Sequence, residues 1–183
     1  MRVVGLISGT SMDGLDVGVA DLEGAGSAEL QLRPLGARTV PWEEALRRRL
    51  LGLLPPAATT IQEVAELDVL VGRASGLAAR SAIDEFAGGS ADLVVSHGQT
   101  VFHWVTDGRA RGTLQLGQPA EIVEATGLPV VSDLRARDIA AGGQGAPLAG
   151  TLDVLLLRGL GLDTTVAALN LGGIANVTVV PPV

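Results

Sequence analysis

Val3-Val4-Gly5-Leu6-Ile7-Ser8 runs into Gly9-Thr10-Ser11-Met12-Asp13-Gly14 and leaves through Leu15-Asp16-Val17-Gly18-Val19-Ala20. The first stretch is short and β-branched, the middle is polar and bounded by glycine, and the last alternates Leu15, Val17 and Val19 with Asp16, Gly18 and Ala20. That is the pattern of strand, polar turn, strand. From Leu30 to Val40, Leu30, Leu32 and Val40 are interleaved with polar residues, which predicts a third strand weakened by Pro34 and Gly36. Three strands in a meander form one sheet.

After Pro41 the period changes. Trp42, Ala45, Leu46, Leu50 and Leu53 recur at three- and four-residue intervals until Pro55-Pro56, and a longer helical pattern runs from Thr60 to Phe86 with Gly88-Gly89 as its stop. Within it, Gly72 and Gly76 allow close helix packing or a kink. Asp92 to Ser96 suits a short, buried parallel strand delivering Ser96-His97-Gly98-Gln99-Thr100 at its carboxyl end, where α/β folds place ligands. Thr113 to Leu116 reads as a strand, Pro119 to Ala125 as a helix ended by Gly127, Pro129 to Ser132 as a strand, and Leu152 to Leu160 as a helix. Val166 to Leu171, Gly172-Gly173 and Ala175 to Val180 repeat the opening arrangement of strand, glycine turn, strand.

The chain has 183 residues, 47% of them apolar, enough for a real core and too apolar for disorder. Its 13 basic residues are all arginine against 20 acidic ones, a net charge of −7, and the densest basic run, Arg47-Arg48-Arg49, shares its helix pattern with Glu43 and Glu44. That reads as a solvated face, and nucleic acid is not an expected partner. The absence of cysteine excludes disulfides, thiolate metal sites and cysteine nucleophiles. No run reaches the roughly 18 apolar residues of a membrane span and no cleavable leader pattern opens the chain, so a soluble cytoplasmic protein is expected.

Four segments carry candidate chemistry. The first loop offers Gly9 and Gly14 for close backbone approach, Thr10 and Ser11 as hydroxyl donors, free N–H groups for an anion, and Asp13 and Asp16 as carboxylates for a hydrated metal. A nucleotide phosphate with Mg²⁺ would fit; so would a purely structural hairpin turn. The loop lacks the lysine of a Walker sequence and opens no helix. His97 can orient a polar ligand or rest on a backbone partner, while His103 beside Trp104 reads as a packed edge. Asp133-Leu134-Arg135-Ala136-Arg137-Asp138 can pair internally or present an arginine fork to a ligand carboxylate. The glycine-rich run that follows it favours close approach by a ligand or a mobile lid. Leu169 to Asn176 is by itself a second glycine turn.

Taken in order, residues 5–16, Ser96-His97-Gly98-Gln99-Thr100-Val101-Phe102-His103, Leu114-Gln115-Leu116-Gly117-Gln118-Pro119, 130–148 and 169–177 resemble the anhydro-N-acetylmuramic acid kinases of the sugar kinase, Hsp70 and actin superfamily. The resemblance implies an α/β fold: a ribonuclease-H-like lobe, a mixed sheet with helices, over residues 1–148, and the first hairpin of a second such lobe over 149–183. It implies ATP and Mg²⁺ as cofactors and a kinase that opens the 1,6-anhydro sugar with water and phosphorylates O6 in peptidoglycan recycling. Nucleotide and sugar are the implied partners, and a homodimer is allowed.

Carried over, Gly9, Thr10, Ser11, Met12, Asp13, Gly14, Leu15 and Asp16 would form the phosphate loop, with Asp13 near the metal. Gly172 and Gly173 would start the second nucleotide hairpin, and His97, Asp133 and Arg137 would lie near the sugar. Family members are about twice this length, and the aspartate that activates water is expected in an Asp-Thr-Gly-Pro-type segment beyond Val183. The 183 residues alone are therefore expected to be inactive. Leu134 stands where the family more often has Phe, and Ala149-Gly150-Thr151-Leu152 replaces the usual Val-Pro-Ala-Phe. Another small acceptor within the superfamily, or a non-catalytic ligand-binding fragment, are the alternatives.

Overall fold

The computed structural model describes residues 1–24, 30–171 and 175–182. Strands β1 (Arg2–Ser8), β2 (Gly14–Glu23) and β3 (Gln31–Pro41) form the expected antiparallel meander, with β1 at its inner edge. Pro34 is tolerated because β3 is an edge strand in the order β3-β2-β1-β4-β5, and it pairs where the β2–β3 register shifts. Helices α1 (Glu44–Leu51) and α2 (Ile61–Phe86) follow, the latter started by Thr60, whose hydroxyl oxygen accepts from the Glu63 N–H at 3.1 Å.

Strand β4 (Leu93–Thr106) is longer than the sequence suggests. Its first part lies parallel to β1 on one side and to the two-residue strand β6 (Val130–Val131) on the other. Instead of ending at Ser96 it continues through His97-Gly98-Gln99-Thr100 and pairs antiparallel with β5 (Arg109–Leu116), extending the sheet. Gly98 makes this possible: its φ is +72°, and a Cβ there would lie 2.7 Å from the Leu116 carbonyl oxygen. The polar glycine-bearing segment expected at the carboxyl end of a strand is a kink within one. Trp104, expected at a packed edge, is 53% exposed on the β4–β5 arm.

Helix α3 (Pro119–Thr126) is capped by left-handed Gly127, and the short α4 (Leu134–Ala140) follows β6. A β1 flanked by antiparallel β2 and parallel β4, with β6 beyond, is the mixed α/β arrangement expected of a ribonuclease-H-like lobe. Val4, Leu6, Leu15, Val17, Val19 and Val94 share one core with Leu67, Val71, Ala79, Ala82 and Ile83 of α2. The other sheet face, which carries Gly5, Ile7, Asp16 and Thr39, is open. Helix α5 (Gly150–Gly159) leads to β7 (Val166–Leu171) and β8 (Ala175–Val180), a separate antiparallel pair.

The two helix glycines serve close packing. A Cβ at Gly72 would lie 2.6 Å from the Gln118 carbonyl oxygen, and one at Gly76 would lie 2.8 Å from the Ala125 Cβ, so α3 and its lead-in rest directly on the α2 backbone. Alanine favours a helix over glycine by ~1 kcal/mol, yet overpacking costs about 1–3 kcal/mol. Gly72→Ala is therefore expected to lower the urea midpoint, and a raised midpoint would contradict this packing.

Candidate functional site

The turn after β1 is held from beneath by buried polar groups. The Ser8 hydroxyl lies 2.8 Å from the Gly14 carbonyl oxygen and 2.6 Å from Gln99 Oε1, two acceptors for one proton, and it accepts from Trp42 Nε1 at 3.1 Å. Gln99, fully buried, donates through Nε2 to the Gly9 carbonyl at 3.3 Å and the Thr100 carbonyl at 3.1 Å. Met12 plugs the turn into the core at 1% exposure despite a φ of 49°. Its N–H donates to the Gly9 carbonyl at 3.2 Å and its carbonyl accepts from Arg47 Nε at 2.7 Å.

Left-handed backbone at a non-glycine residue costs roughly 1–3 kcal/mol and persists only where surroundings over-determine it. Here they do. Leu15, likewise buried, anchors the exit of the turn, so Met12 and Leu15 can offer a ligand only their backbone.

With those two inside, Gly9, Thr10, Ser11 and Asp13 face solvent. The Ser11 hydroxyl donates to Asp13 Oδ1 at 2.7 Å. That bond, then the Asp13 N–H and more weakly the Arg47 charge, hold the Asp13 carboxyl below the ordinary carboxylate value. The N–H groups of Thr10 and Ser11 make no hydrogen bond among the described residues. Asp16 is turned to the open sheet face, where Thr39 Oγ1 donates to its Oδ1 at 2.5 Å. Among the described residues no three His, Cys, Asp or Glu side chains cluster as a metal cage. One carboxylate with neighbouring hydroxyls fits Mg²⁺ held mainly by nucleotide phosphates and water, which is how that ion is usually bound.

His97 stands between two hollows. One, of about 550 Å³, lies on the open sheet face against Ile7, Asp16, Thr39, Val95 and Leu134. The other, of about 400 Å³, is walled by Asp68, Ser96, Gln115, Ser132 and Asp133. Arg135 Nε donates to His97 Nε2 at 2.8 Å, so Nδ1 carries the ring proton and donates to the Gly98 carbonyl at 2.9 Å. Burial lowers the His97 pKa first; the Gly98 bond opposes it and the Arg135 charge adds to it.

Asp133 is exposed, left-handed at φ 56°, and lines the second hollow. Arg137 is exposed on α4 and borders neither hollow. The internal side-chain pairing of this segment does not form: neither guanidinium bonds the Asp133 or Asp138 carboxylate, and Asp138 Oδ2 accepts from the Gly145 N–H at 2.7 Å. Gly172 and Gly173 lie outside the described residues.

Sequence reasoning missed two residues here. Asp68 accepts from the Gly117 N–H at 2.8 Å and from Gln118 Nε2 at 3.4 Å, which fixes the wall of the second hollow, but it reads as one polar position among many on a helix. Arg135 could be told from Arg137 only once α4 was known, because residues two apart on a helix point roughly 200° from one another.

A profile of the family described as anhydro-N-acetylmuramic acid kinase matches residues 1–183. The chain belongs to that family. A member from Streptomyces coelicolor is 59% identical over 182 residues, covering 100% of this chain and 46% of that protein. One from Rhodococcus erythropolis is 52% identical, covering 97% and 44%, and one from Acaryochloris marina is 42% identical, covering 100% and 47%. All three are named anhydro-N-acetylmuramic acid kinase, and this chain spans about half of their length. Among solved structures, RuvC of Thermus thermophilus aligns at a TM-score of 0.40 with 18% identity over 87% of this chain and 79% of that one.

Two outcomes follow for this kinase-family chain. Ser8→Ala leaves Gln99 Oε1 and Trp42 Nε1 buried without that partner, and about 1–3 kcal/mol of unfolding free energy should be lost; an unchanged urea midpoint would refute the role given to this knot. His97, with a folded pKa below the ordinary 6.5, takes up its proton more readily when unfolded. Its contribution to stability is complete above pH ~6.5 and declines as pH falls towards the folded value. Denaturant midpoints measured between pH 7.5 and 5 should fall less in His97→Gln than in the parent chain.

Proposed function

We propose that these residues form the phosphate-loop and sugar-side part of a cytoplasmic, ATP-dependent kinase of peptidoglycan recycling. It opens 1,6-anhydro-N-acetylmuramic acid with water and phosphorylates O6, giving N-acetylmuramic acid 6-phosphate. The observation that carries the reading is the first turn: unpaired Thr10 and Ser11 N–H groups, exposed hydroxyls and a readily ionised Asp13, on a base fixed by Ser8, Gln99 and Met12. Fixed donors aimed at phosphate oxygens need no reorganisation during the reaction. When bound, Mg²⁺ neutralises charge on the phosphates; Asp13 is the carboxylate that would hold it, with the Ser11 hydroxyl orienting Asp13. His97 and Asp133 border the hollow that would take the sugar, beside the Gly98 kink of β4, while Arg137 lies exposed on α4 outside its lining.

We assign residues 1–148 to the first lobe and 149–183 to the opening of a second. The β7–β8 pair supports that division. Thr178 Oγ1 donates to Asp153 Oδ2 of α5 at 2.9 Å on one face, while Leu169, Leu171, Val177 and Val179 are 57–75% exposed on the other. A lone two-stranded sheet is marginal in water, so this pair fits the start of a larger sheet. Gly172 and Gly173 would turn towards the nucleotide there. The family resemblance implies a water-activating aspartate in an Asp-Thr-Gly-Pro-type segment beyond Val183, and on that reading these 183 residues alone should bind ligand without turnover.

Calorimetry of Mg·ATP binding to this chain tests the reading. Asp13→Asn should weaken binding by about tenfold, the loss of one charge-assisted contact. It should also lower kcat/KM in a full-length protein carrying this half. Equal Mg·ATP affinity of the parent and Asp13→Asn would overturn the assignment of the loop.

A further inference from the structure

Several carbonyls of the first turn are tied down by groups of the chain. The Gly9 oxygen accepts from the Met12 N–H and from Gln99 Nε2, the Gly14 oxygen lies 2.8 Å from the Ser8 hydroxyl, and the Met12 oxygen accepts from Arg47 Nε at 2.7 Å. Beside them, the N–H groups of Thr10 and Ser11 stay unpaired among the described residues. Met12 N–H, Gln99 and Ser8 are neutral. Arg47 is a cation, carried to the turn by α1 from 35 residues further along the sequence.

The Arg47 side chain is half-buried, and Nε is the one guanidinium atom with a partner among the described residues. In this it resembles Arg135, whose single bond goes to the neutral His97 ring. Their places differ. Arg135 borders neither hollow, whereas Arg47 is bonded to the turn itself and its charge acts on the Asp13 carboxyl. The acids on α1 and the start of α2 are otherwise engaged: Glu43 caps α1, Glu44 lies beside Arg48, and Glu63 and Glu66 hold Arg49. Arg47 therefore stands against the turn without an ion-pair partner among the described residues, in a chain of net charge −7 that has no lysine.

Backbone N–H groups cradle an anion best when neighbouring carbonyl oxygens point elsewhere. The Met12 carbonyl needs such a restraint, because it belongs to a left-handed residue in the middle of the turn. A neutral donor would be enough to hold it. A guanidinium holds it and also adds positive potential beside the free N–H groups.

We propose that Arg47 is a positioning residue of the nucleotide site: through Nε it holds the Met12 carbonyl away from the phosphates, and through its unpaired charge it raises the affinity of the turn for them. This rests on the phosphate-loop reading above and extends it to α1, outside the glycine turn.

Two substitutions separate the two parts of that role. Glutamine has its amide nitrogen as many bonds from Cα as arginine has Nε, so Arg47→Gln keeps the clasp and removes the charge; Arg47→Met keeps the length and removes both. In calorimetry on the intact 183-residue chain, Arg47→Gln should bind Mg·ATP about tenfold more weakly than the parent at an unchanged urea midpoint. Arg47→Met should lose midpoint and affinity together. The parent's advantage over Arg47→Gln should shrink as salt is raised, because added ions screen a charge that acts at a distance. A merely structural arginine would give neither the split nor the salt dependence. Arg47→Lys keeps the charge and should stay within about threefold of the parent; if Arg47→Gln does not fold, a tenfold loss in folded Arg47→Lys overturns the proposal.

NMR of the Thr10 and Ser11 amide signals, with Mg·ATP and tripolyphosphate as probes, separates this proposal from the reading beneath it. If folded Arg47→Gln binds Mg·ATP as tightly as the parent, the role of Arg47 is refuted and the phosphate loop stands. If Mg·ATP does not bind but tripolyphosphate moves both signals in the parent and not in Arg47→Gln, the nucleotide reading falls and Arg47 keeps its role towards the anion. Movement in both chains refutes that role. If neither probe moves the signals in the parent, both readings fall.

Discussion

One hydroxyl proton, on Ser8, serves a junction at which four parts of the chain meet. Gln99 comes from β4, Trp42 from the entry to α1, Gly14 from the start of β2, and Ser8 itself ends β1. All of the side chains involved are buried, so each polar atom depends on the others in place of water. The loop above inherits this rigidity. Met12 can hold a left-handed backbone because its side chain is locked in the core and both its N–H and its carbonyl are engaged. The exposed groups of Thr10, Ser11 and Asp13 are thereby set by the interior of the lobe, not by the loop's own preferences.

Local periodicity made the meander, the long helix and the β7–β8 strands legible, because each element shows its own repeat. Met12 shows where that kind of reading ends: in a run of polar and glycine residues it reads as one more loop position, whereas it is the plug that holds the loop down. The same limit explains β4. His97-Gly98-Gln99-Thr100 has turn composition, and only the approach of β5 and the partnership of Gln99 with Ser8, 91 residues away in sequence, keep it extended. In the arginine segment, charges adjacent in sequence suggested pairing. Their side chains do not pair, and the glycine-rich loop takes Asp138 instead.

Charge tells a parallel story. Arg47-Arg48-Arg49 reads from composition as a solvated face, and its members prove to be specific: Arg48 lies beside Glu44, Arg49 bridges Glu63 and Glu66, and Arg47 clasps the phosphate-loop candidate through the Met12 carbonyl. The Arg49 cluster lies at the surface, where such pairs contribute little to stability. The cations not used in this way are where a small anion can still be read by position.

Binding and turnover are separable in this architecture for a physical reason. Phosphoryl transfer draws its rate from placing donor, acceptor and charge together, with little covalent work by the protein. In the proposed function, the donor-side groups are fixed by the core beneath the first turn, so a phosphate would be held whether or not anything faces it. The hollow proposed for the acceptor borders the same β4 that carries Gln99, so the two proposed sites are joined through one strand. On the function proposed above, the group that removes the water proton and the surface that closes over the nucleotide are expected outside these residues. The uncovered apolar face of β7–β8 and the open face of the main sheet mark where this half leaves its own elements uncovered. On that proposal, recognition of the ligands precedes the chemistry, which would need a second surface to bring the remaining groups within reach of them.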